Sequence, residues 1–153
     1  HIQETSGISL HRLYKIQSAA SVLRSRADIA AFPFDDVHLQ DSKGTEQHIQ
    51  SLLEEFGWTW GLIPILHFLA EFGESVRPNT HIMRTMNHLR PGRGLPVDSH
   101  LTVKQAVKLN HHVWLLMLDL GQPRVKREAI KHMDHVLTAI SQCGLLTNQK
   151  KTD

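Results

Sequence analysis

His67 and Glu71 stand four positions apart in a run that is otherwise apolar from Trp58 to Ala70 and beyond it to Phe72. In a helix that spacing puts both on one face. A buried histidine beside a carboxylate is the minimal acid–base dyad. The same pair serves structure equally well, because a buried charge requires a partner. No nucleophile or third group accompanies it in the sequence, so we prefer the structural role for His67 and Glu71. The twelve histidines raise a second chemistry. His132 and His135, in His132-Met133-Asp134-His135, are three apart on one helical face, and two such imidazoles can meet one cation. Zinc needs more: four protein ligands in a structural site, three plus water in a catalytic one. The chain has no His-Glu-x-x-His, no paired cysteines and no His-Asp doublet of the phosphohydrolase kind. His111 and His112 are neighbours and diverge by roughly 100° on a helix. Solvated or capping histidines are the simpler expectation, and neither a metal nor another cofactor is expected.

Phosphate chemistry is the remaining possibility. Pro91 to Pro96 contains Gly92 and Gly94 but lacks the Lys-Ser/Thr and preceding strand of a nucleotide loop. Arg90 and Arg93 make the loop a potential phosphate contact. Lys104 and Lys108 follow at i, i+4, and Arg124, Lys126, Arg127 and Lys131 crowd the start of the last helical stretch. If these eight converge they form a nucleic-acid-binding face for RNA or DNA. Bases early in a helix oppose its dipole, a small cost that favours a use for them. No aromatic ladder runs among them for base stacking. Gly121-Gln122-Pro123 joins two long helices, unlike a compact helix-turn-helix.

Charge is distributed unevenly. Asp28 to Val76 holds nine acids against one base, Lys43, whereas Arg77 to the end holds twelve bases against five acids. Such a pattern implies either intramolecular pairing or a basic face for an anionic partner. At 153 residues, 41% hydrophobic and 21% charged, the chain is sized for one domain and is neither disordered nor membrane-embedded in composition. Its longest apolar stretch falls short of the ~20 residues that cross a bilayer. The lone Cys143 excludes an internal disulfide and fits a reducing, intracellular setting, cytoplasmic or nuclear. Placed before Gly144 at a helix C-terminus, it is expected to be a packed structural residue. The chain starts at His1 without a signal peptide and reads as a processed product or a piece of a longer protein.

The elements that must carry these residues are helical throughout. Leu10, Leu13, Ile16, Ala20, Leu23, Ala27 and Ala30 form a stripe ended by Pro33. Thr45 is a suitable N-cap for a helix with Ile49, Leu52, Leu53 and Phe56 on one face, stopped at Gly57. Leu62 to Phe72 is apolar nearly all round and is expected at the centre of the domain. Asn79 or Thr80 opens the next helix, with Ile82, Met83, Met86 and Leu89 inward. Thr102-Val103-Lys104-Gln105 is a capping box for a helix ending at Gly121, and the last runs from about Arg124 to Gln142, with Gly144-Leu145 as its stop. The pattern predicts an all-α, single-domain bundle of five to six helices over residues 1–146, with the central apolar helix at about 62–72 and a polar tail at 147–153.

Trp60-Gly61-Leu62-Ile63, followed by apolar residues and Phe72-Gly73, resembles the first homology motif of the Bcl-2 family. The likeness is confined to residues 60–73. The family's second motif and its Leu-x-x-x-Gly-Asp segment are absent, and Pro64 falls where that helix should run on. No residue role follows from it. The expected function is a non-enzymatic helical interaction module for a protein partner or a second copy. Nucleic-acid binding through the basic half ranks next, and a small metal-dependent or acid–base enzyme around His67 and Glu71 third. No membrane partner is expected.

Overall fold

The computed structural model describes residues 7, 9–25, 39–91, 95, 100–122 and 124–146. Among them are six helices and no strand: α1 (Leu10–Ser25), α2 (Ser42–Phe56), α3 (Leu62–Glu71), α4 (Thr80–Leu89), α5 (Val103–Asp119) and α6 (Arg127–Gln142). The all-α bundle is as the periodicity predicts. Ala27, Ala30, Pro33, Gly92, Arg93, Gly94 and the tail from Thr147 lie outside the described residues.

Local chemistry sets the helix ends. Thr102 and Gln105 close a reciprocal capping box on α5, and the Asn79 side chain accepts the Ile82 N–H on α4. α2 starts earlier than Thr45 suggests. Asp41 is the cap, its carboxylate accepting the Gly44 N–H at 2.9 Å. A Cβ at 44 would overlap that carboxylate, so a larger residue there would have to push the cap aside. α6 starts later than Arg124 suggests. Lys126 is extended, Val125 before it is buried in the core, and Lys126 offers no side-chain cap. α3, α5 and α6 each end in the same paired hydrogen bonds around a glycine of positive φ, at Gly73, Gly121 and Gly144. α3 begins without a side-chain cap at Gly61, and Pro64 in its first turn removes one orphan N–H.

The core has two lobes. One gathers Ile82 and Met86 of α4, Val113 of α5, Ile130 and Leu137 of α6, and Val76. The other gathers Val22 of α1, Ile49 and Leu52 of α2, Ile65 and Leu66 of α3, and Ala106 of α5. α5 therefore feeds both, through Ala106 and Val107 on one side and Leu109, Val113 and Met117 on the other. α4 against α6 is the most extensive helix pair, followed by α2 against α5. α3 drives Ile65, Leu66, Leu69 and Ala70 inward, while Ile63, His67 and Glu71 stay exposed. Phe56, Trp60, Phe68 and Phe72 interlock beside it, with ring centroids 4.6 to 5.0 Å apart along the chain of contacts.

α1 departs from its predicted stripe. Leu10 and Ile16 face solvent, and the inward side is Lys15, Ser18, Ala19 and Val22, again i, i+3, i+4, i+7. Small residues let α1 lie close to the end of α2, where the Ser18 hydroxyl donates to the Phe56 carbonyl and the Trp60 indole N–H donates to the Lys15 carbonyl. Apolar spacing alone did not register those two polar contacts.

Gly73 is the tightest joint in the fold. Besides its positive φ of 67°, a Cβ at this position would run into the backbone carbonyl of Arg127 at the start of α6. Gly121 ends α5 with a comparable φ of 84° but has open space around it. Gly121→Ala should cost about 1 kcal/mol in urea unfolding, the price of a left-handed alanine. Gly73→Ala should cost about 2 kcal/mol more, because backbone must also move. Equal losses in the two variants would show that the α3–α6 contact yields freely.

Candidate functional site

The most polar part of the interior is the non-helical segment 74–77 that leaves α3. Its residues are tied to three helices, α2, α5 and α6. Glu74 takes His48 of α2 at 3.1 Å on Oε2 and the Arg127 guanidinium of α6 on Oε1. Ser75 and the Val76 N–H share the Asn110 side chain of α5, at 3.2 Å each to Oδ1. The Arg77 backbone N–H donates to Asp134 Oδ2 at 2.6 Å, and its guanidinium grips Oδ1. Asn110 and Asp134 are almost fully buried. Asn110 and Asp134 are thereby bonded, so this cluster holds the fold together rather than presenting reactive groups.

Glu74 carries the pH dependence of that cluster. Burial pushes its pKa up, but hydrogen bonds from His48 and Arg127, with the charge of both, more than offset this and hold it below the ordinary 4.5. A carboxylate with a lowered folded pKa contributes stability that is present above the unfolded value and is lost as pH falls through the folded one. Glu74→Gln should therefore lose about 1–3 kcal/mol at pH 7. Its stability should also fall less steeply than that of the parent below about pH 4.5. Parallel acid limbs in urea titrations from pH 7 to 2.5 would remove Glu74 from this role.

His67 and Glu71 share the outer face of α3, and both are exposed rather than buried. The burial on which the dyad depends is absent, because α3 lies with this edge to water. They line a shallow hollow of about 480 Å³ with Trp60, Ile63, Pro64 and Phe68. His132 and His135 are exposed on α6, and no group of three or more His, Cys, Asp or Glu able to hold a metal occurs among the described residues. Cys143 is exposed, not packed, because α6 ends in solvent.

The basic residues divide. Arg90 is bonded to Asp119 at 3.0 Å and is largely covered. Arg127 pairs with Glu74. Both are committed internally, and the Glu74 carboxylate offsets the misplaced positive charge at the start of α6. Lys104, Lys108, Arg124, Lys126 and Lys131 are exposed, and Arg93 lies outside the described residues.

Sequence reasoning missed the most accessible aromatic among the described residues. Trp58 is 83% exposed in the junction between α2 and α3. It borders a hollow of about 540 Å³ whose wall includes Tyr14, Gln17, Ser18 and Ser21 of α1 and Glu55 of α2. The sequence carried no signal for this, since Trp60 lies between the same two glycines, Gly57 and Gly61, and packs inward.

No protein-family model, curated protein or solved structure matches this chain. The short likeness at residues 60–73 thus brings no family with it. No described helix is long and apolar enough to cross a membrane.

Proposed function

We propose that the chain is a non-enzymatic helical interaction module within a larger protein, docking a protein partner or a second copy. The observation that carries this reading is the outward placement of Trp58, together with Leu10 and Tyr14, one turn apart on the adjoining α1. Single exposed apolar residues are ordinary, but large ones gathered on one helix and the neighbouring junction mark a contact surface. The free thiol fits an intracellular setting, cytoplasmic or nuclear. Light scattering over a concentration series tests the self-associating form. A dimer that Leu10→Glu converts to monomer supports it, and a monomer at every concentration removes self-association and leaves a different protein as the partner.

A second reading is nucleic-acid binding, favoured by the five exposed cations on α5 and at the start of α6. Micromolar affinity for labelled oligonucleotides should then fall steeply with salt, and Lys104→Glu, Arg124→Glu and Lys126→Glu together should abolish it. Fluorescence anisotropy showing no binding at low salt would dispose of this reading.

A further inference from the structure

The outward side of α5 carries charge of one sign. Lys104 and Lys108 are exposed, and neither forms an ion pair among the described residues. The helix holds a single acid, Asp119, which lies at its far end and is bonded to Arg90. Lys104 stands in the first turn, where the positive helix end opposes it. An external anion would relieve both lysines.

His111 continues the same stripe, with Lys104, Lys108 and His111 at i, i+4 and i+7. Its ring stacks on Trp114, with centroids 5.7 Å apart and planes 29° from parallel, and it meets His112 edge-on at 6.0 Å. The His111 Nδ1 is buried and makes no hydrogen bond, so on that edge packing alone holds the ring. His111 and Trp114 are both half-buried, so each keeps some surface in water. Two cations thus lead along one face to a stacked aromatic pair.

A strand of phosphates and bases uses both features. Lysines hold phosphodiester charge, and aromatic rings stack on bases whatever the sequence. Four residues advance a helix by about 6 Å, so Lys104 and Lys108 can serve neighbouring phosphates of one strand. A duplex keeps its bases stacked on one another, out of reach of the His111 ring. An acidic peptide would satisfy the lysines but offers no base.

We propose that the outer face of α5 binds single-stranded nucleic acid, with Lys104 and Lys108 on the phosphates and the His111–Trp114 stack against a base. This rests on the nucleic-acid reading and names the form of the ligand and its site.

The test is fluorescence anisotropy of a short labelled oligothymidine over a salt series. Its duplex with oligoadenine, an abasic strand of equal length and polyglutamate are the comparisons. The single strand should bind tighter than the duplex, and about 5-fold tighter than the abasic strand. Lys104→Gln and Lys108→Gln should each lower the slope of log affinity against log salt by about 0.7. His111→Ala should weaken binding by about 5-fold with that slope unchanged, and His111→Phe, which keeps a flat ring, should retain the affinity. In the full ¹⁵N-labelled chain the Trp114 indole N–H resonance should shift on binding while that of Trp58 stays in place. Both lysines face water, so their variants spare the core. Equal affinity for the abasic strand or the duplex would overturn the single strand as ligand, and displacement of the strand by polyglutamate at matched charge would make an acidic protein the occupant. Unchanged salt slopes in both lysine variants would overturn the site, and loss of binding on changing Arg124 and Lys126 to Glu would then move nucleic acid to the start of α6. Absence of any binding at low salt removes the nucleic-acid reading itself, so the two failures remain distinguishable.

Discussion

Everything in this bundle hangs on four consecutive residues that belong to no helix. Glu74, Ser75, Val76 and Arg77 lie between α3 and α4, and their partners lie on α2, α5 and α6. Backbone that leaves a helix inside a protein must find hydrogen bonds elsewhere. Here the Val76 and Arg77 N–H groups take side-chain acceptors, Asn110 and Asp134. Each acceptor is buried, and each would carry a heavy desolvation cost if left alone. The segment and its acceptors therefore specify one another. Gly73, pressed against the Arg127 backbone, sets where this segment starts.

The uneven charge of the chain finds part of its explanation in the same place. The acidic middle and the basic end meet in the Glu74–Arg127 pair, so some of the asymmetry is intramolecular complementarity. Arg77 and Asp134 come from the basic half alone, as do Arg90 and Asp119. Two acids of the basic half, Asp119 and Asp134, are thus paired with its own arginines. Arg84 on α4, Lys104 and Lys108 on α5, Arg124 and Lys126 just before α6 and Lys131 on it stay exposed.

Helix number, helix type and most of the core were legible in the sequence because they rest on local rules. The capping box at Thr102, the cap at Asn79 and the stops at Gly73, Gly121 and Gly144 each need only residues a few positions apart. Errors arose where distant contacts decide. Asp41 displaced Thr45 as a cap because Gly44 admits its carboxylate. α1 turned Leu10 and Ile16 outward because Ser18 and Lys15 bond to the junction 38 and 45 residues away. Arg127 looked like a ligand-binding base until Glu74 claimed it. Buried networks of this kind have no short-range signature: Asn110 and Asp134 read as ordinary helical positions. The hollow beside Trp58 was invisible for the same reason, since α1 and the α2–α3 junction meet only in three dimensions.

Anchoring is unequal across the fold, and this bears on how a surface site can signal. α4, α5 and α6 share the larger lobe and the ionic ties of residues 74–77. Among the described residues α1 contributes the buried Val22, the half-buried Ala19, two hydrogen bonds and the Lys15–Trp60 and His11–Trp58 contacts. Elements with few buried contacts open at the lowest free energy. One wall of the Trp58 hollow is α1, and the other is the end of α2, which belongs to the stronger frame. A ligand that touches both walls binds only while α1 is docked, so by mass action it must favour the docked state. Conversely, anything that loosened α1 would take Tyr14 out of the hollow and weaken such a ligand by the same factor.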